Sequence, residues 1–293
     1  MTKKILAAFL SLALLCMAGC GGNDTNSEVD APSKPEPKPE PIIYINPLTG
    51  IQNIEEEEVI YRRPVAVMIN NISVAQKVQT GLTQADIVYE TEVEGGITRL
   101  LAVFADVSKV EKLGTVRSLR VVFADIAAGM NALLFYHGID EVYCTPHLKS
   151  LGINSHQIGA KSDSFREKNG LAYEHRLYTS GELLDKVVAG KKKWTTEGTT
   201  QWLNFSEDAT KTAPSETKAV NIKVPFSGTS TTQFIYDETE QKYARARKDV
   251  EYVDALYAFY SGVDLYMEDD GEMYKSFKII EVKENLQQNN ITC

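Results

Sequence analysis

The chain has little of several things that would make its chemistry easy to read. Of its 293 residues, four are cysteine and two are tryptophan. Cys16, Cys20, Cys144 and Cys293 form no Cys-x-x-Cys pair and no Cys/His cluster, so the spacing encodes neither a zinc site nor a disulfide framework. No glycine-rich phosphate fingerprint follows a strand, which argues against the common nucleotide-binding loops. A Gly-x-Ser-x-Gly elbow and a His-Glu-x-x-His helix are also missing, and two hydrolase signatures go with them. No apolar run reaches the roughly 20 residues that a helical membrane span needs. Positive charge is short as well: 31 Lys and Arg face 40 Asp and Glu, for a net charge of -9. Lys191-Lys192-Lys193 is the lone basic triplet. Nucleic-acid binders usually carry a basic patch, so no nucleic acid is expected as a partner, and no cofactor or metal is called for.

What is present begins at the N-terminus. Lys3 and Lys4 precede an apolar run from Ile5 to Leu15 broken by Ser11, followed by Met17-Ala18-Gly19-Cys20. This is the three-part layout of a secretory signal with small residues before the cut. A cysteine just after the cut is the layout of a bacterial lipoprotein signal, with Met17 at its less usual first position. Residues 1–19 are expected to be removed and Cys20 to carry lipid, palmitate included. The result is an extracytoplasmic protein anchored to the cell membrane. Two or more acyl chains hold stably where one is marginal. Residues 31–41 read APSKPEPKPEP, a composition that prefers extended polyproline II and serves as a spacer.

The rest is expected to be α+β: a mixed α/β domain over residues 45–207 and a small β-rich domain over residues 218–293, with residues 20–44 as anchor and linker. The packed part is expected to start near Ile60. Pro64 to Ile69 reads as a buried strand. Asp86 to Glu94 alternates apolar and polar as a half-buried strand does. Gly95-Gly96 turns it back into Ile97 to Phe104 as a hairpin. Ser118 to Met130 fits a helix with Ser118 as N-cap, and Ala132 to Tyr136 another buried strand. Pro146 to Leu151 fits a short helix closed by Gly152. Thr179 or Ser180 caps a helix over residues 182–189. Ala219 to Phe226 reads as a strand, at an edge because of Pro225. Thr232 to Tyr236 and Lys242 to Arg247 read as a hairpin.

The densest polar stretch runs from Glu90 to Arg120. Glu92 and Glu94 lie before the Gly-Gly turn and Arg99 after it, so they can pair across the hairpin or form a catalytic carboxylate pair. Gly114-Thr115-Val116-Arg117-Ser118-Leu119-Arg120 combines a glycine, a helix start with free N–H groups and two planar cations suited to carboxylate or phosphate. One reading is an anion-binding corner of Arg99, Arg117, Ser118, Arg120 and His137. The other is a helix cap with structural arginines paired to nearby acids. His137 follows a buried strand, and His147 and His156 lie in a loop-rich stretch with Asp163. Cys144 near His147 has no visible activating partner, and it and Cys293 are a candidate disulfide. Trp194 and Trp202 either cover a domain junction or stack on glycan rings.

Several of these segments in order resemble the YerB-like bacterial lipoproteins, a family catalogued as a domain of unknown function. They are Arg63 to Asn71, Ala75-Gln76, Gly81-Leu82, Ala85 to Glu90, Val93 to Arg99 and Val116-Arg117-Ser118-x-Arg120. The resemblance covers roughly residues 45 to 247. It implies a two-part extracytoplasmic lipoprotein with a smaller β-rich C-terminal domain, and supplies no reaction. The family's Pro-His-Asn-x-Tyr-x-Ser pattern appears as Glu174-His175-Arg176-Leu177-Tyr178-Thr179-Ser180, keeping the histidine, tyrosine and serine. Residues 248–293 depart from the family, so the C-terminal part is expected to be truncated or divergent. Two functions follow as expectations. The first is a non-catalytic envelope lipoprotein that binds an anionic or glycan-containing component, or an envelope protein. The second is an envelope hydrolase or transferase that uses His137 or His175 with Glu92, Glu94 or Asp163.

Overall fold

The structure is a computed structural model. It describes residues 42–198, 205, 220–238, 242–247, 250–251, 259–269 and 272–280, which all fall in one compact unit. The fold class is α+β. The first strands are β1 (Tyr44–Ile45) and β2 (Gln52–Ile54), which pair with each other. Leu48, Ile51, Ile54 and Val59 are buried there. Packing therefore starts ahead of Ile60: apolar side chains spaced along an otherwise acidic stretch reach the core.

The centre is a seven-stranded sheet. Its N-terminal strands are β3 (Val65–Asn70), β4 (Ile87–Glu92) and β5 (Thr98–Phe104), with a one-turn helix α1 (Ser73–Gln76) between β3 and β4. β5 lies antiparallel to both β3 and β4, with Glu92 opposite Thr98 across the expected Gly95-Gly96 turn. Next come β6 (Leu113–Gly114), α2 (Val121–Gly129), β7 (Leu133–Tyr136), α3 (Cys144–Leu151) and β8 (Ser155–Gln157). β7 is parallel to β3, and β8 is parallel to β7.

β4 differs from its sequence reading. Alternation predicts one wet face, yet every residue of β4 except Glu92 is buried. Both faces of the sheet are covered. Ala66, Met68, Ile87 and Tyr89 enter one core with Phe123 and Ala127 of α2. Val65, Val67, Ile69 and Val88 enter the other with Leu113 and Leu177. A period of two then sorts side chains between two cores rather than between core and water. Each large side chain so buried contributes about 1.5–3 kcal/mol. Glu90 and Thr91 are consequently inside the protein.

β9 (Phe165–Arg166) pairs with β10 (Leu177–Thr179), which closes the second core together with α4 (Gly181–Gly190). β6, β10 and β9 make a small three-stranded sheet. Ser180 caps α4 by accepting from the Leu183 N–H at 3.3 Å, as its position predicts. Gly152 ends α3 with φ near 64°. The Cys144 thiol is buried and free, and burial pushes it up to about 11; Cys293 lies outside the described residues. Trp194 is partly buried, meets Phe135 edge-on at 6.0 Å and packs against the second core; Trp202 is outside the described residues.

Toward the C-terminus, β11 (Asn221–Pro225), β12 (Thr231–Asp237), β13 (Lys242–Arg247) and β14 (Val250–Glu251) form an antiparallel four-stranded sheet with β11 at its edge. β15 (Phe259–Asp269) and β16 (Glu272–Ile280) pair with each other, and β16 pairs antiparallel with β4. The chain beyond residue 218 thus supplies its own sheet and the edge of the large one. Two latches hold the four-stranded sheet to the β4–β5 hairpin. Ser227 Oγ donates to the Gly96 carbonyl at 2.6 Å, and Arg245 pairs with Glu90 at 2.6 Å.

Candidate functional site

The segment between β6 and α2 positions the arginines. It does not begin the helix at Ser118: α2 starts at Val121, and Arg120 occupies the N-cap position in extended conformation. Residues 116–119 are held extended by backbone bonds on both sides. The Arg117 N–H donates to Met68, the His137 N–H to the Arg117 carbonyl, and the Leu119 N–H to Gly138. These amides have sheet-like partners, so there is no helical turn at Ser118 for its hydroxyl to cap. Gly138 (φ 86°) sits so close that a Cβ there would lie 2.7 Å from Ser118 Oγ. Side chains at 117 and 120 thereby emerge at one end of the strip, beside the tip of the β4–β5 hairpin.

At that tip Glu94 meets two arginines. Its Oε1 accepts from Arg99 Nη2 at 2.9 Å and its Oε2 from Arg120 Nε at 2.8 Å, with a further Arg120 contact to Oε1. Glu92, the other carboxylate of the expected pair, is exposed and makes none of these bonds. Arg99 is buried and also donates to the Ser118 carbonyl at 2.6 Å. Burial, with the charge of Arg120 adding to it, lowers Arg99 to about 10 against the raising effect of Glu94. Burial works to raise Glu94, but the Arg120 hydrogen bond and the Arg99 charge hold it below the usual carboxylate range.

Arg117 is different. It is half-buried, and its one hydrogen bond goes from Nη1 to the Glu174 carbonyl at 3.4 Å. Burial lowers it first, the Arg120 charge also lowers it, and Glu174 and Glu94 oppose this. A guanidinium has five N–H donors, so most of those on Arg117 have no protein acceptor among the described residues. Arg99, Arg117 and Arg120 thus gather near Glu94, with Glu174 also acting on Arg117 and Asp140 on Arg120.

The histidines are placed as follows. His137 Nδ1 donates to the Ile158 carbonyl at 2.7 Å, and Nε2 accepts from Arg166 Nη2 at 3.1 Å. Both ring nitrogens are therefore engaged, and His137 touches the corner through its backbone and through Arg166. Arg166 in turn lies 3.9 Å over the Tyr173 ring and donates to the Tyr173 carbonyl at 2.9 Å. His175 is buried; its Nδ1 accepts from the Asn70 amide at 3.0 Å, and Nε2 lies 3.9 Å from Glu174 Oε1. Burial first, then the Arg117 charge, pushes His175 below its ordinary value. Asp163 pairs instead with His156 (3.2 Å), and Asp125 with His147 (2.6 Å). Among the described residues no hydrogen bond or ion pair joins His137 or His175 to Glu92, Glu94 or Asp163. No group of three or more His, Cys, Asp or Glu side chains is gathered there to hold a metal ion. A cavity of about 690 Å³ lined by Pro47, Tyr61, Arg62 and Glu197, among others, shares no lining residue with the arginine corner.

Sequence reasoning missed a second polar centre behind the corner. Glu90 accepts from Asn71 Nδ2 (2.8 Å), Thr98 Oγ1 (2.7 Å), Thr232 Oγ1 (2.9 Å) and Arg245 Nη2 (2.6 Å). Gln76 donates to the Asn71 carbonyl at 2.8 Å, and Gln79 to the Asn70 carbonyl at 2.5 Å. The available signal was a carboxylate inside a strand that turns out to be covered on both faces.

A two-core α+β domain with an arginine-rich corner and no assembled metal or hydrolase centre among the described residues is thus the class in hand. The chain belongs to the family described as protein of unknown function (DUF3048) N-terminal domain, matched over residues 48–195. It is similar to the protein named "Putative lipoprotein YerB" of Bacillus subtilis (strain 168), 32% identical over 209 residues. That match takes in 70% of this chain and 60% of the relative, so the chain spans about 60% of the length of the curated relative. A crystal structure of YerB protein from Bacillus subtilis superimposes with a TM-score of 0.60 at 25% identity, over 80% of this chain and 79% of that one. The chain is accordingly a YerB-like member of a family without an assigned function. Cys20 and the signal segment lie outside the described residues.

Proposed function

We propose that the protein is an extracytoplasmic lipoprotein, anchored to the cell membrane through lipid on Cys20, that binds an anionic or glycan-containing envelope component, or an anionic surface of an envelope protein, at the arginine corner. The observation that carries the binding reading is Arg117, a half-buried guanidinium with one 3.4 Å hydrogen bond beside two further arginines that already share Glu94. An arginine with spare donors open to solvent suits a planar carboxylate or phosphate. His137 supports the site by orienting Arg166, and the Ser118 carbonyl by fixing Arg99.

The test is titration of the purified full chain, in detergent micelles, with anionic envelope fragments while chemical shifts are mapped. Shifts are expected at Arg117, Ser118 and Arg120. Arg117→Ala together with Arg120→Ala should weaken binding at least tenfold, and unchanged binding would remove the corner from the function.

A further inference from the structure

Next to Arg117 lies a feature that a simple anion does not need. Tyr173 is 66% exposed. Its ring is nonetheless held on one side, because the Arg166 guanidinium packs 3.9 Å from the ring centroid. The main chain under it is fixed twice: Arg166 Nη1 bonds the Tyr173 carbonyl at 2.9 Å, and Arg117 Nη1 bonds the adjacent Glu174 carbonyl at 3.4 Å. Arg166 is itself steadied by His137 at 3.1 Å. An exposed aromatic ring that is fixed in this way is preorganised, so a ligand that lies on it costs little ordering entropy. One face is taken by a cation and the other is left for a ligand. That face carries partial negative charge, which the C–H groups of a sugar ring meet favourably, while Arg117 stands one residue along to take a carboxylate or phosphate.

We infer that the ligand of this corner is an anionic saccharide, whose ring stacks on Tyr173 while its acid group is held by Arg117. The inference rests on the anion-binding reading above and adds the sugar. A small inorganic anion would use Arg117 and leave Tyr173 idle.

The experiment titrates the full-length chain in detergent micelles with three probes: an oligogalacturonate, the neutral chitooligosaccharide of the same length, and inorganic phosphate. Oligogalacturonate should bind at least tenfold more tightly than the neutral sugar. Tyr173→Ala should weaken oligogalacturonate binding about tenfold, in the range that loss of one stacked aromatic partner produces, and leave phosphate binding unchanged. Tyr173→Phe, which keeps the ring, should restore it. Arg117→Ala should abolish binding of both acidic probes. If Tyr173→Ala leaves oligogalacturonate binding intact while phosphate still depends on Arg117, the sugar inference falls and the anion-binding reading stands. If the neutral sugar binds as well as the acidic one, or no probe binds, the anion-binding reading falls with it.

Discussion

Two carboxylates on one hairpin show how the same pair of ions can do different work. Glu90, in the middle of β4, is fully buried, and Arg245 is fully buried beside it. Asn71, Thr98 and Thr232 add neutral donors to the Glu90 carboxylate beside the Arg245 guanidinium. Glu94, at the hairpin tip, is more than half exposed and meets Arg99 and Arg120, with Arg117 behind them. The first centre is closed to solvent; the second gathers three guanidiniums near one half-exposed carboxylate and is open to solvent. Taking two ions out of water costs several kcal/mol each and is offset when the shell is complete. A centre like that of Glu90 therefore has structure as its output. A surface guanidinium with spare donors, such as Arg117, offers binding instead.

The sharpest way to break this comparison is at Arg245. Arg245→Ala leaves the Glu90 charge buried with neutral donors alone, and removing one partner of a buried pair costs about 3–5 kcal/mol. The urea midpoint should fall accordingly with an unchanged slope. Arg245 lies on β13 and ties the C-terminal sheet to β4, so the loss should appear first as hydrogen exchange in β12 and β13. A loss below about 1 kcal/mol, the scale of an exposed pair, would show that the two centres do not differ in the way their burial indicates.

Much of this arrangement was legible in the sequence, and its failures share a cause. The β4–β5 hairpin, β7, the Ser180 cap, the Gly152 stop and the β12–β13 pairing follow local rules: period, turn glycines and caps. Ser118 was misread because an N-cap signal is local, while the bonds that keep residues 116–119 extended come from Met68, His137 and Gly138, far off in sequence. Burial of Glu90 was hidden for a related reason. Alternation reports that two faces differ, but it does not reveal that both are covered. The arginines of the corner could be listed from sequence, and so could Glu94. Which arginine was already satisfied could not, because that depends on where a hairpin tip and a distant Glu174 carbonyl come to rest.

A milder probe of the contrast is acid. Glu94 is held below its unfolded value, near 4.3 for a glutamate, so its stabilising contribution is present above that pH and is lost as pH falls through its folded value. More than half of the side chain is exposed, so solvent screening limits the effect to well under about 1 kcal/mol. His175 works the other way from most histidines. Its folded value is lowered, so the unfolded chain takes the proton first. Stability is level above the unfolded value near 6.5 and declines as pH drops from there toward the folded value. Urea midpoints measured from pH 7.5 down to 3.5 should therefore decline in two windows, the upper one removed by His175→Gln and the lower one reduced by Glu94→Gln. A midpoint that stays flat between pH 6.5 and 5 would show that burial and the Arg117 charge do not hold the ring neutral.

The smallest expected effect is the most informative. Arg117→Ala removes one 3.4 Å hydrogen bond and a cation that is repelled by Arg120 and attracted by Glu174 and Glu94. The repulsion by Arg120 works against the attraction by Glu174 and Glu94, so the stability change should be small, about 0.5 kcal/mol or less, the range of an ordinary surface substitution. His175 supplies an internal check on that substitution. It loses a nearby positive charge, so its titration by NMR should move up toward the ordinary histidine value while the fold stays put. An arginine kept for structure would show the reverse pattern, a large stability loss like that of Arg245→Ala. Near-neutral stability together with lost affinity for acidic ligands would separate the open centre from the closed one on a single side chain.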